Sequence, residues 1–415
     1  MNSPIRIVGI GASAKGLEAI NEFFENIPPD TGLAFVVVQH LSPDFKSLMS
    51  ELLPKHAHLP VDVVKDDVKL EANHIYLIPS EANLIIEQGI VKRVERKPSH
   101  TVNLPVDLFF HSLGVDQGEK AVGIVLSGAS ADGSRGVRTI KEAGGLVLVQ
   151  DPETTEFDSM PLSVISLGVA DLVLPPFALA KELVRIVSKK NGASDKPLPL
   201  TDRQNSDFLS KILNRVAEVT GVDFNEYRTG TLIRRVEKRM HLIGGADLES
   251  YSQLLLENEQ ECHSLFKEFL IGVTRFFRDR DAFESLKKNV LREIITSKEP
   301  QKDIRVWIPG CSTGEEAYSI AIALSECLEE MRQRRSFKIF ATDVDKEAIN
   351  FAAEAIYPEN IAADVEPHLL DRYFQQRNNS YQVQKTLRER VVFAAHDALQ
   401  DPPFIHMDLI SCRNM

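Results

Sequence analysis

The stretch Ile5–Gly16 reads IRIVGIGASAKG. An apolar, mostly β-branched run from Ile5 to Ile10 gives way to glycine and small residues, and a helical pattern, Gly16–Glu25, follows at once. A strand feeding a helix through a glycine-rich turn is how a wound α/β sheet begins. The same unit recurs downstream. Leu33–Val38, Ile75–Ile78, Ala121–Leu126 and Leu146–Val149 are further short runs rich in Val and Ile, with helical patterns such as Pro43–Leu53 between them. Strands that are apolar along their whole length are buried on both faces, which indicates a parallel sheet covered by helices on each side. Leu84–Val94, interrupted by Gln88-Gly89, is the exception and reads as a hairpin attached to that sheet.

Working outward, Ser188–Leu200 (SKKNGASDKPLPL) is small, polar and proline-containing, as a linker is. Thr201-Asp202-Arg203-Gln204 then fits a capping box, opening a helix with Phe208, Leu209, Ile212, Leu213 and Val216 on one face. Helical patterns continue to about Glu293. Strand–helix alternation restarts with Ile304–Ile308, Phe337–Ala341, Val391–Ala394 and Asp408–Ser411. The expected organisation is a doubly wound parallel α/β domain over 1–187, a linker over 188–200, an all-helical domain over 201–293, and an incomplete Rossmann-like sheet over 294–415.

A chain of 415 residues suits two or three domains. A content of 43% hydrophobic and 26% charged residues, without long low-complexity tracts, excludes a disordered chain. Net charge of −12 gives the whole chain no attraction for nucleic acid or anionic membrane. No apolar run reaches the roughly 18 residues that a membrane span needs. A strand starting at Ile5 leaves no room for a signal peptide, so a cytoplasmic protein is expected. Cys262, Cys311, Cys327 and Cys412 form no CxxC pair and have no histidines at metal spacing. Buried thiols and no metal site are the expectation.

Two chemistries fit the first turn. A Gly-rich strand-to-helix turn can take the phosphates of a dinucleotide at a helix N-terminus. The spacing here is G-x-G-x-x-x-x-G, however, and the second strand ends in Gln39-His40 rather than in an acidic residue for a ribose. The alternative uses three strand ends together: Ser13 after the first, His40 after the second, and Asp132 in the loop Ser127–Gly136 after Ala121–Leu126. A parallel sheet brings those ends to one edge. There serine, histidine and carboxylate make an acyl-transfer site, with amides of the Gly16 helix available to an oxyanion.

GIGASAKG, VVVQHLSP, VLSGASADGSRGV and DSMPLSVI resemble the catalytic domain of chemotaxis protein-glutamate methylesterases over about Ile5–Val187. The resemblance implies hydrolysis of glutamyl methyl esters with Ser13 as nucleophile, His40 as base and Asp132 as its orienter, and no cofactor. Ala14-Lys15 stands where the family usually has Thr-Gly, and Ala129-Ser130-Ala131 where it has Met-Gly-Asn. No receiver domain precedes Ile5, so control by phosphorylation in cis is not expected.

In the last segment, Pro309-Gly310-Cys311-Ser312-Thr313-Gly314-Glu315-Glu316 joins a strand to a helix, and the next strand ends in Thr342-Asp343. A carboxylate there can accept hydrogen bonds from ribose hydroxyls. RVWIPGCSTGEEAYSIA, KIFATDVDKEAI, LISCRN and GVTRFFRD resemble chemotaxis protein-glutamate methyltransferases from about Thr201 onward. The resemblance implies S-adenosylmethionine as cofactor, held by Thr274, Arg278, Glu315, Asp343, Asp397, Ala398, Arg413 and Asn414. Arg278 is also a candidate to hold a partner carboxylate. Asp397-Ala398 replaces the family's Asn-Leu, and Gly272 an asparagine. The family continues beyond the position of Met415, so a fragment of a longer protein is expected.

Arg228, Arg234, Arg235, Lys238 and Arg239 form a basic side on one helix. Such a run is usually a solvated charged face; in the resembled methyltransferases this helical domain meets acidic chemoreceptor helices, so Arg228 to Arg239 is alternatively a docking surface for such a partner. The alternative to a pair of enzymes is a signalling scaffold whose altered loops bind partners without turnover.

Overall fold

A computed structural model describes residues 5–13, 16–40, 49–96, 103–190, 203–245, 247–270, 272, 274–299, 301–378 and 380–413; His40 and residues 189, 190, 203 and 204 are described by backbone alone. The expected linker lies mostly outside these residues, as does Asn414. The chain divides into two compact units, 1–271 and 272–415.

The first unit is built on β1 (Arg6–Ser13), α1 (Leu17–Glu25), β2 (Leu33–His40), β3 (Val61–Val63), β4 (Val68–Lys69), β5 (His74–Leu77), β6 (Ala82–Glu87) and β7 (Ile90–Glu95). It continues through α2 (Pro105–Gln117), β8 (Val122–Val125), α3 (Gly136–Glu142), β9 (Leu146–Gln150), α4 (Ser159–Ile165), β10 (Leu172–Leu174) and α5 (Pro176–Lys190). Seven parallel strands run in the order β10-β9-β8-β1-β2-β5-β3. The five long apolar runs are all in it. The two edge strands, of three residues each, were too short to read from the sequence. The hairpin β6–β7 forms with Glu87 opposite Ile90, but it belongs to a separate antiparallel sheet with β4, not to the main one.

Side chains along β1 go to opposite faces. Val8, Ile10 and Ala12 enter a core with Ile20, Phe23 and Phe24 of α1 and Leu179, Ala180 and Leu183 of α5. Gly9 and Gly11 face α2. A Cβ on Gly9 would lie 3.0 Å from atoms of Phe109, Phe110 and Leu113, and one on Gly11 would lie 2.3 Å from Val106 Cγ1. The Gly-x-Gly of the opening motif therefore lets a helix lie on the strand, which accounts for both glycines without a phosphate.

The unit is completed by α6 (Arg203–Thr220), α7 (Thr229–Ile243), α8 (Leu248–Glu257) and α9 (Glu259–Phe269), which share a core of Ile212, Val216, Phe224, Val236, Leu255 and Leu265. Ser188, placed in the linker by composition, still belongs to α5.

The second unit has a parallel sheet of β11 (Ile304–Pro309), β12 (Phe337–Asp343), β16 (Val391–Ala395) and β17 (Leu409–Ile410), ordered β16-β12-β11-β17. Between its strands lie α10 (Glu315–Glu330) and α11 (Lys346–Glu354). A small antiparallel sheet of β13 (Ile356–Pro358), β14 (Phe374–Arg377) and β15 (Ser380–Val383) is added. Its strands carry Gln, Arg and Ser in place of an apolar run, so periodicity missed them. The helical stretch 280–297, of which 280–293 was expected with the helical domain, instead buries Phe283, Leu291 and Ile295 in one cluster with Ile304, Val306 and Ile308. A helical period reveals a buried stripe, not its partner.

The closeness of α2 to β1 gives a test. Gly11→Ala is expected to destabilise the chain by about 1–3 kcal/mol through overpacking. Val106→Ala in the same background should recover part of that loss, both measured by urea unfolding.

Candidate active sites

Ser13 and His40 are the last residues of adjacent parallel strands and stand opposite each other in the register that begins with Arg6 and Leu33. The strand on the other side of β1 is β8, and the loop after β8 carries Asp132. The backbones of Ser13 and His40 therefore end side by side at one edge of the sheet, and the loop carrying Asp132 leaves the neighbouring strand at that same edge. Ser13 is half-buried and its backbone is fixed three ways. Its N–H donates to Ser127 O at 3.2 Å, and its carbonyl accepts from Gly16 N–H at 2.9 Å and Gln39 Nε2 at 2.8 Å. Gly128 lies against it: a Cβ there would be 3.0 Å from Ser13 Cβ and 2.1 Å from Met160 Sδ.

Asp132 is 1% exposed. Its two carboxylate oxygens accept from Val106 N–H at 3.0 Å and Asp107 N–H at 2.9 Å, so it caps α2 from outside that helix. Asp107 returns the arrangement. Its Oδ1 accepts from Arg135 N–H and Gly136 N–H, each at 2.8 Å, at the start of α3. Two buried carboxylates thus hold the starts of α2 and α3. Burial pushes the Asp132 carboxyl well above its ordinary pKa and the Asp107 charge adds to that, while backbone N–H donors pull it back. Asp107, Gln39 and Met160 escaped the sequence reading. Asp107 left one signal, an acid in the first turn of a helix that opens with proline.

In the second unit, Asp343 ends β12 beside the turn that follows β11. Its Oδ2 accepts from Ser312 N–H at 2.8 Å and its Oδ1 from Asp345 N–H at 3.0 Å. Burial raises its pKa, and these N–H donors oppose the rise. Glu315, 2% exposed, accepts from Thr313 Oγ1 at 2.6 Å, and Ser312 Oγ donates to Gly272 O at 2.7 Å. The turn holds Gly310, Ser312 and Gly314 at φ of 65°, 48° and 89°. Arg278 and Thr274 are half-buried. Arg413 donates to Arg278 O at 3.2 Å and pairs with Asp279. Asp397 lies just past β16, and its Oδ1 accepts from Leu399 N–H at 2.9 Å; Ala398 is half-buried beside it. His396 N–H donates to Asp343 O at 3.0 Å, tying that segment to Asp343. Tyr357, whose hydroxyl donates to Thr313 O at 2.8 Å, and Ser319, whose Oγ accepts from Phe277 N–H at 3.0 Å, were not foreseen.

Three family models match the chain: CheB methylesterase over residues 8–183, the all-alpha domain of CheR methyltransferase over 207–270, and the SAM binding domain of CheR methyltransferase over 272–415. The chain joins a CheB methylesterase domain to the two domains of a CheR methyltransferase. An uncharacterized 104.1 kDa protein of Rhodobacter capsulatus is 36% identical over 387 residues, covering 88% of this chain and 40% of that protein. A protein-glutamate methylesterase/protein-glutamine glutaminase of Hydrogenovibrio crunogenus is 30% identical, covering 44% of this chain and 50% of that protein. The chain thus spans about half, or less, of the length of these relatives. The crystal structure of the Thermotoga maritima CheB methylesterase catalytic domain is 28% identical, covering 43% of this chain and 97% of that one at a TM-score of 0.41.

Two expectations need correction. The basic side of α7, in the CheR all-alpha domain, is largely occupied within its own unit. Lys238 and Arg235 pair with Glu268, and Arg239 with Glu261 through two bonds of 3.0 and 2.6 Å. Arg228 and Arg234 are the exposed members, and Arg234 lies 3.7 Å from Glu119. Most of the run is therefore paired within its own unit instead of forming the solvated face that charge spacing suggested. Cys262, Cys311 and Cys327 are buried thiols, but Cys412 is exposed, at a strand end where its neighbours are polar. Among the described residues no helix is long and apolar enough to cross a membrane.

Asp107→Asn removes the negative charge beside Asp132 while its amide oxygen still accepts from the α3 amides. The Asp132 pKa is expected to fall, read as the carboxyl carbon shift in an NMR titration. An unchanged or higher value would contradict the pairing described above.

Proposed function

We propose that the CheB methylesterase domain hydrolyses glutamyl methyl esters of chemoreceptor-like proteins and that the CheR half methylates receptor glutamates with S-adenosylmethionine. What carries the reading is the Ser13–His40 pairing across β1 and β2, with the Asp132 loop on the next strand. In this mechanism Ser13 Oγ attacks the ester carbonyl as His40 takes its proton, and His40 returns that proton to the departing methoxide, releasing methanol. Water then cleaves the acyl-enzyme by the same route. Asp132 in its ionised form orients the imidazole and stabilises the imidazolium. Its two α2 amides favour that form, and the esterase is expected to lose activity as acid protonates it.

The second site suits a positively charged nucleoside. Its turn takes backbone through positive φ at Gly310, Ser312 and Gly314, and Glu315 and Asp343 bring two carboxylates to the end of the sheet. Thr274, Arg278, Glu315, Asp343, Asp397, Ala398, Arg413 and Asn414 are the residues assigned to holding it. When bound, S-adenosylmethionine supplies a sulfonium methyl that a carboxylate can attack in line. The chain's share is alignment and exclusion of water, with Arg278 positioning the acceptor carboxylate.

The test uses the full chain and a methyl-labelled receptor fragment. Methanol release is expected, with Ser13→Ala reducing it about 1000-fold or more. No release by a folded chain, on a substrate that a control esterase cleaves, would overturn the esterase reading and favour a binding scaffold. Calorimetry of the same chain is expected to detect S-adenosylmethionine, with Asp343→Ala weakening it about tenfold or more. No binding would overturn the methyltransferase reading.

A further inference from the structure

The parallel strands of the methylesterase domain have two edges, and Ser13 and Asp132 occupy only one. At the other, where strands begin, lie Gly145 just before β9 and Asp171 just before β10. Lys141, on α3, donates to Asp171 and to Glu268 of α9, each at 2.7 Å. Lys238, on α7, lies 3.1 Å from Asp171 and 3.2 Å from Glu268, and donates to Gly145 O at 2.8 Å. Arg235 reaches Glu268 at 3.4 Å. The Lys141, Asp171 and Glu268 side chains are 6%, 0% and 3% exposed.

This cluster has a buried centre, Lys141, Asp171 and Glu268, with Lys238 and Arg235 partly buried at its rim; it consists of one lysine and one aspartate from the methylesterase domain and three residues from the CheR all-alpha domain. Asp171 is tied further by Val147 N–H at 2.8 Å. Burial opposes its charge, but Lys141, Lys238 and that N–H outweigh burial and bring its pKa down to about 2. Glu268 touches all three cations, so its loss would leave the buried Lys141 and the partly buried Lys238 with Asp171 as their one shared carboxylate, and Arg235 without its Glu268 contact. Around this cluster, Arg185 of α5 donates to Leu242 O, and Leu242 itself joins the apolar core of the methylesterase sheet.

We propose that the strand-start edge of the methylesterase sheet is a permanent docking surface whose occupant is the CheR all-alpha domain of the same chain, locked by Glu268. The basic helix α7 is thereby committed to an intramolecular partner. The two domains move as one body, and among the described residues the edge bearing Ser13 is left clear of the all-alpha domain, so the esterase does not have to wait for that domain to undock. This inference stands apart from either catalytic assignment, since it concerns residues outside both sites.

A protease site placed within residues 191–202 of the full chain tests it. After cleavage of the folded protein, the two pieces are expected to co-elute in gel filtration at low micromolar concentration. Glu268→Gln should weaken their association about a hundredfold or more, the effect of stranding buried charge. Lys141→Met added to Glu268→Gln should restore most of it, because the excess positive charge is then removed. The proposal is overturned if the parent pieces separate, if Glu268→Gln holds as tightly as the parent, or if the double variant recovers nothing.

Discussion

The parallel pairing of β1 with β2, eight residues from Arg6 opposite Leu33 to Ser13 opposite His40, is the constraint from which the first site follows. A shift of one residue would turn Val8, Ile10 and Ala12 out of the α1–α5 core and bring bulk against α2, where only Gly9 and Gly11 fit. The register is therefore set by packing on both faces of β1. Ser13 and His40 end up side by side as its consequence.

The same helix that demands the glycines also holds the third residue. Its first amides face Asp132, and its own Asp107 holds the start of α3. Helix N-termini favour negative charge, so two carboxylates can be buried here among backbone donors. In the second unit Asp343 is treated alike: buried at a strand end and held by Ser312 and Asp345 N–H groups. In both sheets the polar edge is assembled at strand ends from backbone donors, and the apolar strands behind it supply rigidity.

Much of this was legible in the sequence because long apolar strands carry a strong signal. The runs from Ile5 and Leu33 located Ser13 and His40, and their parallel pairing made them neighbours. Asp132 was legible by its place in a glycine-rich loop. Asp107 was not, since its importance arises from a contact with Gly136, 29 residues away. The basic run on α7 was misjudged for a related reason. Spacing tells which charges share a helix face, but Glu268 and Asp171, which take up those charges, come from other elements. The short strands β13 to β15 and the allegiance of residues 280–297 were hidden because tertiary packing, not local pattern, decides them.

Ser13 is proposed here as a nucleophile activated by its neighbour on β2. Reaction of the full chain with a fluorophosphonate, followed by peptide mass mapping, asks this without a receptor substrate. An adduct on Ser13 is expected at neutral pH, forming about a hundredfold or more slowly in a His40→Ala variant. An adduct on another serine, none on the folded chain, or a Ser13 rate unchanged by His40→Ala would contradict it.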